Sequence, residues 1–134
     1  MIRALLAALF ALLIAAPLAA QDPLTPEEFD AYTQGKTLYF GQAGEPYGVE
    51  RYKPDRRVTW SFLDGRCIEG SWYEDDRGYI CFVYEDGIGP QCWQFFRAPG
   101  GGLLAIFEDE STVPLYEADQ SEEPMQCLGP EVGV

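Results

Sequence analysis

The side chains in this sequence that are best able to bind a ligand or take part in a reaction are aromatic rings and carboxylates. The chain contains 8 Phe, 8 Tyr and 3 Trp, together with 22 Asp and Glu residues. Aromatic rings on strands can line a ligand cavity or a contact surface for a partner. The candidate binding residues are Trp60, Trp72, Trp93, Tyr73 and Tyr84. The alternative, that every ring is core or covered by the helix, stays open because aromatic residues are ordinary in strands.

Carboxylates collect at three predicted hairpin tips, residues 74–76, 85–86 and 108–110. Oxygen ligands of this kind could hold Ca²⁺. However, no EF-hand spacing is present and acidic turn residues are usually only solvated, so no metal site is predicted. A pair of carboxylates could also act as general acid and base in a hydrolase. That alternative stays open, although nothing in the sequence singles out a pair.

Histidine is absent, and its absence removes several classes of chemistry. Ser-His-Asp and Cys-His nucleophilic sites, His-ligated zinc and an imidazole base are all excluded. Ser71 lacks the glycine pattern of a nucleophile elbow. A formal net charge of −13 opposes binding to nucleic acid. The sequence therefore predicts a protein that is not an enzyme and has no cofactor.

The first twenty residues have the pattern of a secretory signal peptide. Arg3 is their only charged residue, residues 4–16 are uninterrupted apolar residues, and Ala19-Ala20 offers a small-residue cleavage site. The apolar run is shorter than the roughly 20 residues of a spanning helix. We therefore expect a signal peptide at residues 1–20, a periplasmic or secreted mature chain, and no membrane span after cleavage.

A short helical segment is predicted at residues 21–35, before the elements that would carry the aromatic rings. Thr25 can cap the helix, Pro26 suits its first position and Glu28 completes a capping box. Gly35 supplies the stop. Phe29 and Tyr32 are expected on its buried face, so that the helix plugs or flanks a sheet.

Short β-rich runs separated by turn residues follow the helix and predict a β domain over residues 36–117. The predicted strands are residues 36–41, 49–53, 56–63, 66–74, 79–84, 91–97, 103–108 and 112–116. Their connections are short enough for consecutive hairpins. The predicted fold is mainly β, an antiparallel meander of seven to eight strands forming a small barrel or a strongly curved sheet.

The four cysteines predict two disulfides, because an even number in a short exported chain is typical of such bridges. Spacing alone permits three pairings. If the turn after Tyr84 spans residues 85–88, Cys81 falls opposite Cys92 on the next strand, at a distance suited to a bridge. We therefore predict Cys81–Cys92 and Cys67–Cys127. The second bridge would tie down an acidic C-terminal tail, residues 118–134.

The same counting across a turn at residues 75–78 places Trp72 beside Cys81. One sheet face would then carry Ile68, Trp72, Tyr79, Val83 and Phe96, and the other Tyr73, Ile80, Phe82, Tyr84, Trp93 and Phe95. Both faces are apolar. Since only one can line a barrel interior, the other would be covered by the helix and tail, contact a partner or bind a ligand. A register slip of one residue would exchange the faces.

Several motifs resemble small exported proteobacterial proteins that are grouped as domains of unknown function. They lie at residues 47–52 (YGVERY), 58–60 (VTW), 67–73 (CIEGSWY), 80–85 (ICFVYE) and 90–93 (PQCW). The resemblance covers most of the mature chain and implies a periplasmic location without any activity. Lipocalins and periplasmic lysozyme inhibitors are similar in size and class.

Together these patterns favour an exported domain that binds an unknown protein or envelope component without catalysis. Its acidic surface would favour basic partners. The alternatives are a carrier of a small hydrophobic ligand in an aromatic cavity, and the carboxylate-dependent hydrolase. An open aromatic cavity in the folded chain would favour the carrier over the others.

Overall fold

The computed structural model describes residues 21–127, which form one α-helix and eight antiparallel strands. Helix α1 spans Pro26–Thr33, and the strands are β1 Thr37–Gln42, β2 Glu45–Tyr52, β3 Arg57–Ser61, β4 Ile68–Glu74, β5 Ile80–Tyr84, β6 Gln91–Arg97, β7 Leu103–Phe107 and β8 Leu115–Ser121. Each strand pairs with the next and β8 pairs with β1, which closes a barrel. The predicted β meander is confirmed, and its form is the barrel. The predicted signal peptide, residues 1–20, and residues 128–134 of the predicted tail lie outside the described residues.

Helix α1 forms where its capping signals predicted it. The Thr25 side chain accepts a hydrogen bond from the Glu28 backbone, and the Glu28 side chain accepts one from the Thr25 backbone. Gly35 follows the helix with φ 82°, a left-handed conformation that glycine adopts without strain. Its N–H donates to the carbonyl of Tyr52 at the end of β2. These contacts hold α1 across one end of the barrel, where Phe29 is fully buried.

The turn between β4 and β5 corrects the predicted register. Tyr73, not Trp72, lies opposite Cys81, and Trp72 lies opposite Phe82. The Asp75 N–H donates to the Tyr79 carbonyl, so the loop contains three residues where four were expected. Its last residue, Gly78, has φ 82°, the left-handed conformation that ends three-residue hairpin loops. The shift of one residue moves Trp72 to the barrel interior and Tyr73 to the outside.

Strand β8 differs from the strand predicted at residues 112–116. It begins at Leu115, three residues later, and ends at Ser121, five residues later. Thr37 of β1 pairs with Ser121, so barrel closure gives this acidic segment a partner. Acidic residues are tolerated there because alternate side chains of the strand face solvent. The C-terminal tail therefore starts after Ser121.

Two disulfides are present, with the pairing that was predicted. Cys81 and Cys92 are directly opposed on β5 and β6, with a Cα–Cα distance of 4.0 Å. Cys67, just before β4, is joined to Cys127 with a Cα–Cα distance of 5.6 Å and a sequence separation of 60. Disulfides form and persist in oxidising environments, so the bridges indicate a compartment other than the cytoplasm.

Candidate functional site

A cavity of about 90 Å³ occupies part of the barrel interior. An eight-stranded barrel is just wide enough for its interior to be filled by side chains or to hold one small ligand. Aromatic residues dominate the wall. The lining residues are Phe40, Tyr47, Glu50, Tyr52, Trp60, Phe62, Ile68, Phe82, Tyr84, Asp86, Ile88, Gln91, Trp93, Phe95, Ala105 and Leu115.

Helix α1 closes the barrel below this cavity through Phe29. The Phe29 ring lies 4.5 Å from the ring of Phe95 and 5.1 Å from that of Trp72, measured between centroids. It also contacts Tyr52 edge-on at 5.7 Å. Because these rings fill the space beneath the helix, the cavity is a pocket with a closed base rather than a channel.

The opposite end of the cavity is its mouth. Phe62, in the β3–β4 loop, and Ile88, in the β5–β6 loop, line the cavity and are 55% and 62% exposed. Phe62 packs edge-on against Trp60, with centroids 5.3 Å apart, and also contacts Tyr47. The mouth therefore has an apolar rim that continues the aromatic wall to the surface.

A carboxyl group lies deep in this aromatic surrounding. Glu50, on β2, is 2% exposed. The Tyr84 hydroxyl, on β5, donates to both carboxylate oxygens at 2.9 and 3.1 Å. No lysine or arginine is among the lining residues that the structure describes. Glu50 is thus a buried acid held by a hydrogen bond and without a positive charge beside it.

Burial shifts the titration of the three polar groups at the base. Desolvation raises the pKa of Glu50 well above its usual range, and the hydrogen bond from Tyr84 offsets this only in part. Desolvation, followed by the negative charge of Glu50, also raises the pKa values of Tyr52 and Tyr84. The two phenols therefore stay neutral at physiological pH.

Glu50→Gln is expected to flatten the pH dependence of folding. A carboxyl whose pKa is raised by folding does not lower the free energy of unfolding at low pH, where it is protonated in both the folded and the unfolded chain. The free energy of unfolding falls as pH rises from the unfolded pKa through the raised folded pKa. Each tenfold difference between the two dissociation constants is worth about 1.4 kcal/mol. Urea unfolding from about pH 4 to about pH 8 should show wild type losing stability relative to the variant.

The control for that measurement is Glu85→Gln, because Glu85 is exposed and lies outside the cavity lining. Its stability profile should run parallel to wild type across the same pH range. If Glu50→Gln also runs parallel to wild type, the carboxyl of Glu50 is not held in a dry environment.

The wall of the cavity depends on a glycine packed against a tryptophan. A Cβ at Gly48 would overlap the indole ring of Trp60 and lie 2.9 Å from the backbone oxygen of Ser61. Gly48→Ala is therefore expected to lower the free energy of unfolding by about 1–3 kcal/mol, because Trp60 must move. Denaturant unfolding measures it. Gly89→Ala, where nothing lies within 4 Å, is the control, and equal losses in the two variants would contradict the close packing.

Three of the five predicted binding residues line the cavity, and two do not. Trp60, Trp93 and Tyr84 line the cavity. Trp72 is buried beside Phe29 and stacks under the Arg56 guanidinium, 4.3 Å from its ring, and it does not line the cavity. Tyr73 is on the outer surface and 41% exposed. The expected packing of Trp72 on the Cys81–Cys92 bridge was wrong because of the register between β4 and β5.

Sequence reasoning missed Glu50 and its neighbour Tyr52. The signal available was the alternation of the run Val49–Tyr52, in which Glu50 and Tyr52 share one face and Val49 and Arg51 share the other. Val49, the aliphatic residue of the run, lies outside the barrel. There it lines a surface groove together with Pro124 and Met125 of the C-terminal segment. The tail that Cys127 holds in place therefore covers this outward valine.

The acidic tips do not combine into a cation site among residues 21–127. Arg77 bridges Asp75 and Glu108 at 2.7 Å each, so a guanidinium occupies the space between two of the tips. Asp75 also lies near the sulfurs of Cys81 and Cys92. Those sulfurs are joined in a disulfide and are not free to act as thiolate ligands.

Comparison of the chain with protein-family models, with curated proteins and with solved structures found no match. Among the residues that the structure describes, no helix has the length and apolarity needed to cross a membrane.

Proposed function

We propose that this chain is an exported, periplasmic binding protein that holds a small, mainly apolar molecule in the barrel cavity and performs no catalysis. One observation carries the proposal: the barrel is closed by Phe29 at one end and keeps an open aromatic cavity at the other. A purely structural barrel of this size would fill its interior with side chains.

Size and lining support a compact ligand. A dry cavity of roughly 150 Å³ admits benzene, so a cavity of about 90 Å³ with an open mouth suits a small head group whose remainder contacts the rim. Ligand sites are typically apolar with a few polar groups that fix orientation. Glu50, Tyr84 and Gln91 are such groups here.

A binding role without catalysis fits the two carboxylates of the lining. Asp86 accepts a hydrogen bond from the Ile88 backbone at 3.0 Å, so its carboxylate serves its own turn at the exposed mouth. Glu50 lies at the base, with Tyr84 as its partner. A carboxylate-dependent hydrolase needs two carboxyl groups that act on one bond, whereas each of these two is already hydrogen-bonded within the chain. The absence of histidine from the chain points the same way.

Ligand-observed NMR with a set of small aromatic alcohols, amides and amines tests the proposal. Phe62→Ala removes an exposed ring from the mouth and is expected to weaken binding severalfold, since burying an aromatic ring contributes to affinity. Tyr73→Ala removes an exposed ring from the outer wall and should leave binding unchanged. Absence of binding by every probe, or equal losses in the two variants, would contradict a ligand in the cavity.

A second candidate function, docking of a basic protein or envelope component, is favoured by the rim itself. Phe62, Leu63 and Ile88 are exposed hydrophobic residues, and the acidic Asp64 and Asp86 lie in the same loops. Such a surface would bind a basic partner more weakly at high salt.

Affinity capture of envelope proteins on the immobilised chain tests that candidate. Specific partners should be released by salt and lost from a Phe62→Asp, Ile88→Asp double variant, while a Tyr73→Asp variant retains them. A partner retained equally by both variants would rule out docking at the rim.

A further inference from the structure

The carboxyl of Glu50 is the feature of the cavity that a carrier of neutral apolar molecules does not need. A buried acid without a compensating charge is costly, and buried charges in proteins are normally paired. The ion pairs formed among residues 21–127 use Glu69, Asp75 and Glu108, and none of them includes Glu50. The only hydrogen-bond donor that the structure places on its carboxylate is the Tyr84 hydroxyl.

The wall around this acid consists of ring faces and edges. Phe82 and Tyr84 stack with an interplanar angle of 8°, and the rings of Tyr47 and Trp60 lie 5.9 Å apart. Aromatic faces are negative and attract ammonium groups, more strongly where water is excluded. A carboxylate and several aromatic rings in one pocket form a surrounding that stabilises positive charge. Because no Lys or Arg lines the pocket, a bound cation meets no like charge there.

We propose that the cavity selects small organic cations, with an amine or ammonium group placed at Glu50 and its apolar substituents against the aromatic wall. This inference rests on the proposed function, since it names the class of molecule that the same cavity holds. Asp86 at the mouth and the formal charge of −13 add a potential that draws cations toward the opening.

Binding of a cation at Glu50 also links affinity to pH. The cation favours the ionised carboxyl, so a protonated Glu50 must release its proton on binding and affinity should rise with pH until Glu50 is ionised in the free protein. Tyr84 of β5 donates to Glu50, and Tyr47 and Tyr52 of β2 share the cavity lining with it. Asp86 acts through its charge on Tyr84, and Glu117 of β8 acts through its charge on Tyr52. The raised pKa values of Tyr52 and Tyr84 keep both phenols neutral at physiological pH.

Calorimetric titration of the full chain with benzylamine and with benzyl alcohol tests the inference, because the two probes have nearly the same shape and differ in charge. Wild type is expected to bind benzylamine at least about tenfold more tightly, and Glu50→Gln is expected to lose about that factor for benzylamine alone. Glu85→Gln replaces an exposed carboxyl outside the lining by the same amide and should leave the tenfold preference intact.

The outcomes distinguish failure of the selection for cations from failure of the cavity as a ligand site. Equal binding of both probes by wild type would overturn the selection of cations and leave a cavity for neutral ligands. An equal effect of Glu50→Gln and Glu85→Gln would overturn it as well, because general attraction by the acidic surface would then account for the preference. Binding of neither probe would contradict the cavity as a ligand site. Should Glu50→Gln fail to fold, wild type decides through the pH dependence of its affinity: benzylamine binding should tighten as pH rises and Glu50 loses its proton, while benzyl alcohol binding should not.

Discussion

Phe29→Ala is expected to lower the free energy of unfolding by about 3–5 kcal/mol, the range for removing a buried aromatic ring. Phe29 is fully buried and closes the base of the barrel, where its ring lies 4.5 Å from Phe95 and 6.3 Å from Phe82. The void left by the variant would be continuous with the cavity above it. Guanidinium unfolding followed by tryptophan fluorescence measures the loss.

The control for that substitution is the same change at Phe62, which lies at the exposed mouth. Phe62→Ala should cost less than about 1 kcal/mol, because most of its ring is already in contact with water. Similar losses at both positions would show that Phe29 does not act as the plug.

Removal of the Cys67–Cys127 bridge by paired serine substitutions is expected to cost about 4 kcal/mol. The bridge closes a loop of 60 residues, whereas Cys81–Cys92 closes one of 11 and should contribute about 3 kcal/mol through the unfolded chain. Cys127 is exposed and Cys67 only half-buried, so their replacement tests the constraint with little loss of packing.

Chemical unfolding of the paired variant against the oxidised wild type gives this difference. Reduced wild type is the matched control and should lose at least as much, since it lacks both bridges. If the Cys67→Ser, Cys127→Ser variant stays within about 1 kcal/mol of wild type, the C-terminal segment holds its place without the bridge.

The elements that depend on local signals could be predicted from the sequence. Thr25, Pro26 and Glu28 determine where α1 begins because capping is a contact among neighbours along the chain. Short turns between alternating runs predicted a meander, since each hairpin requires only its own loop. The opposed positions of Cys81 and Cys92 followed from one such loop.

Features that depend on several loops at once were not predictable. The turn between β4 and β5 is one residue shorter than expected, because Asp75 pairs with Tyr79. This shifts the register by one residue, so Trp72 faces the barrel interior and Tyr73 faces outward. The extent of β8 depends on its pairing with β1, about eighty residues earlier in the chain. The alternation of residues 49–52 puts Glu50 and Tyr52 on one face of β2, but closure of the whole barrel decides that this face is the interior.

The three tryptophans of the chain give the most direct test of the cavity as a ligand site. Trp60 and Trp93 line it, and Trp72 packs beneath it against Phe29. The measurement is ¹⁹F NMR of protein labelled with 5-fluorotryptophan, titrated with benzylamine and with benzyl alcohol. Saturable shifts of the Trp60 and Trp93 resonances, with Trp72 nearly unchanged, are the expected result. Saturation without any shift at Trp60 and Trp93, or no saturable change at all, would contradict binding inside the barrel.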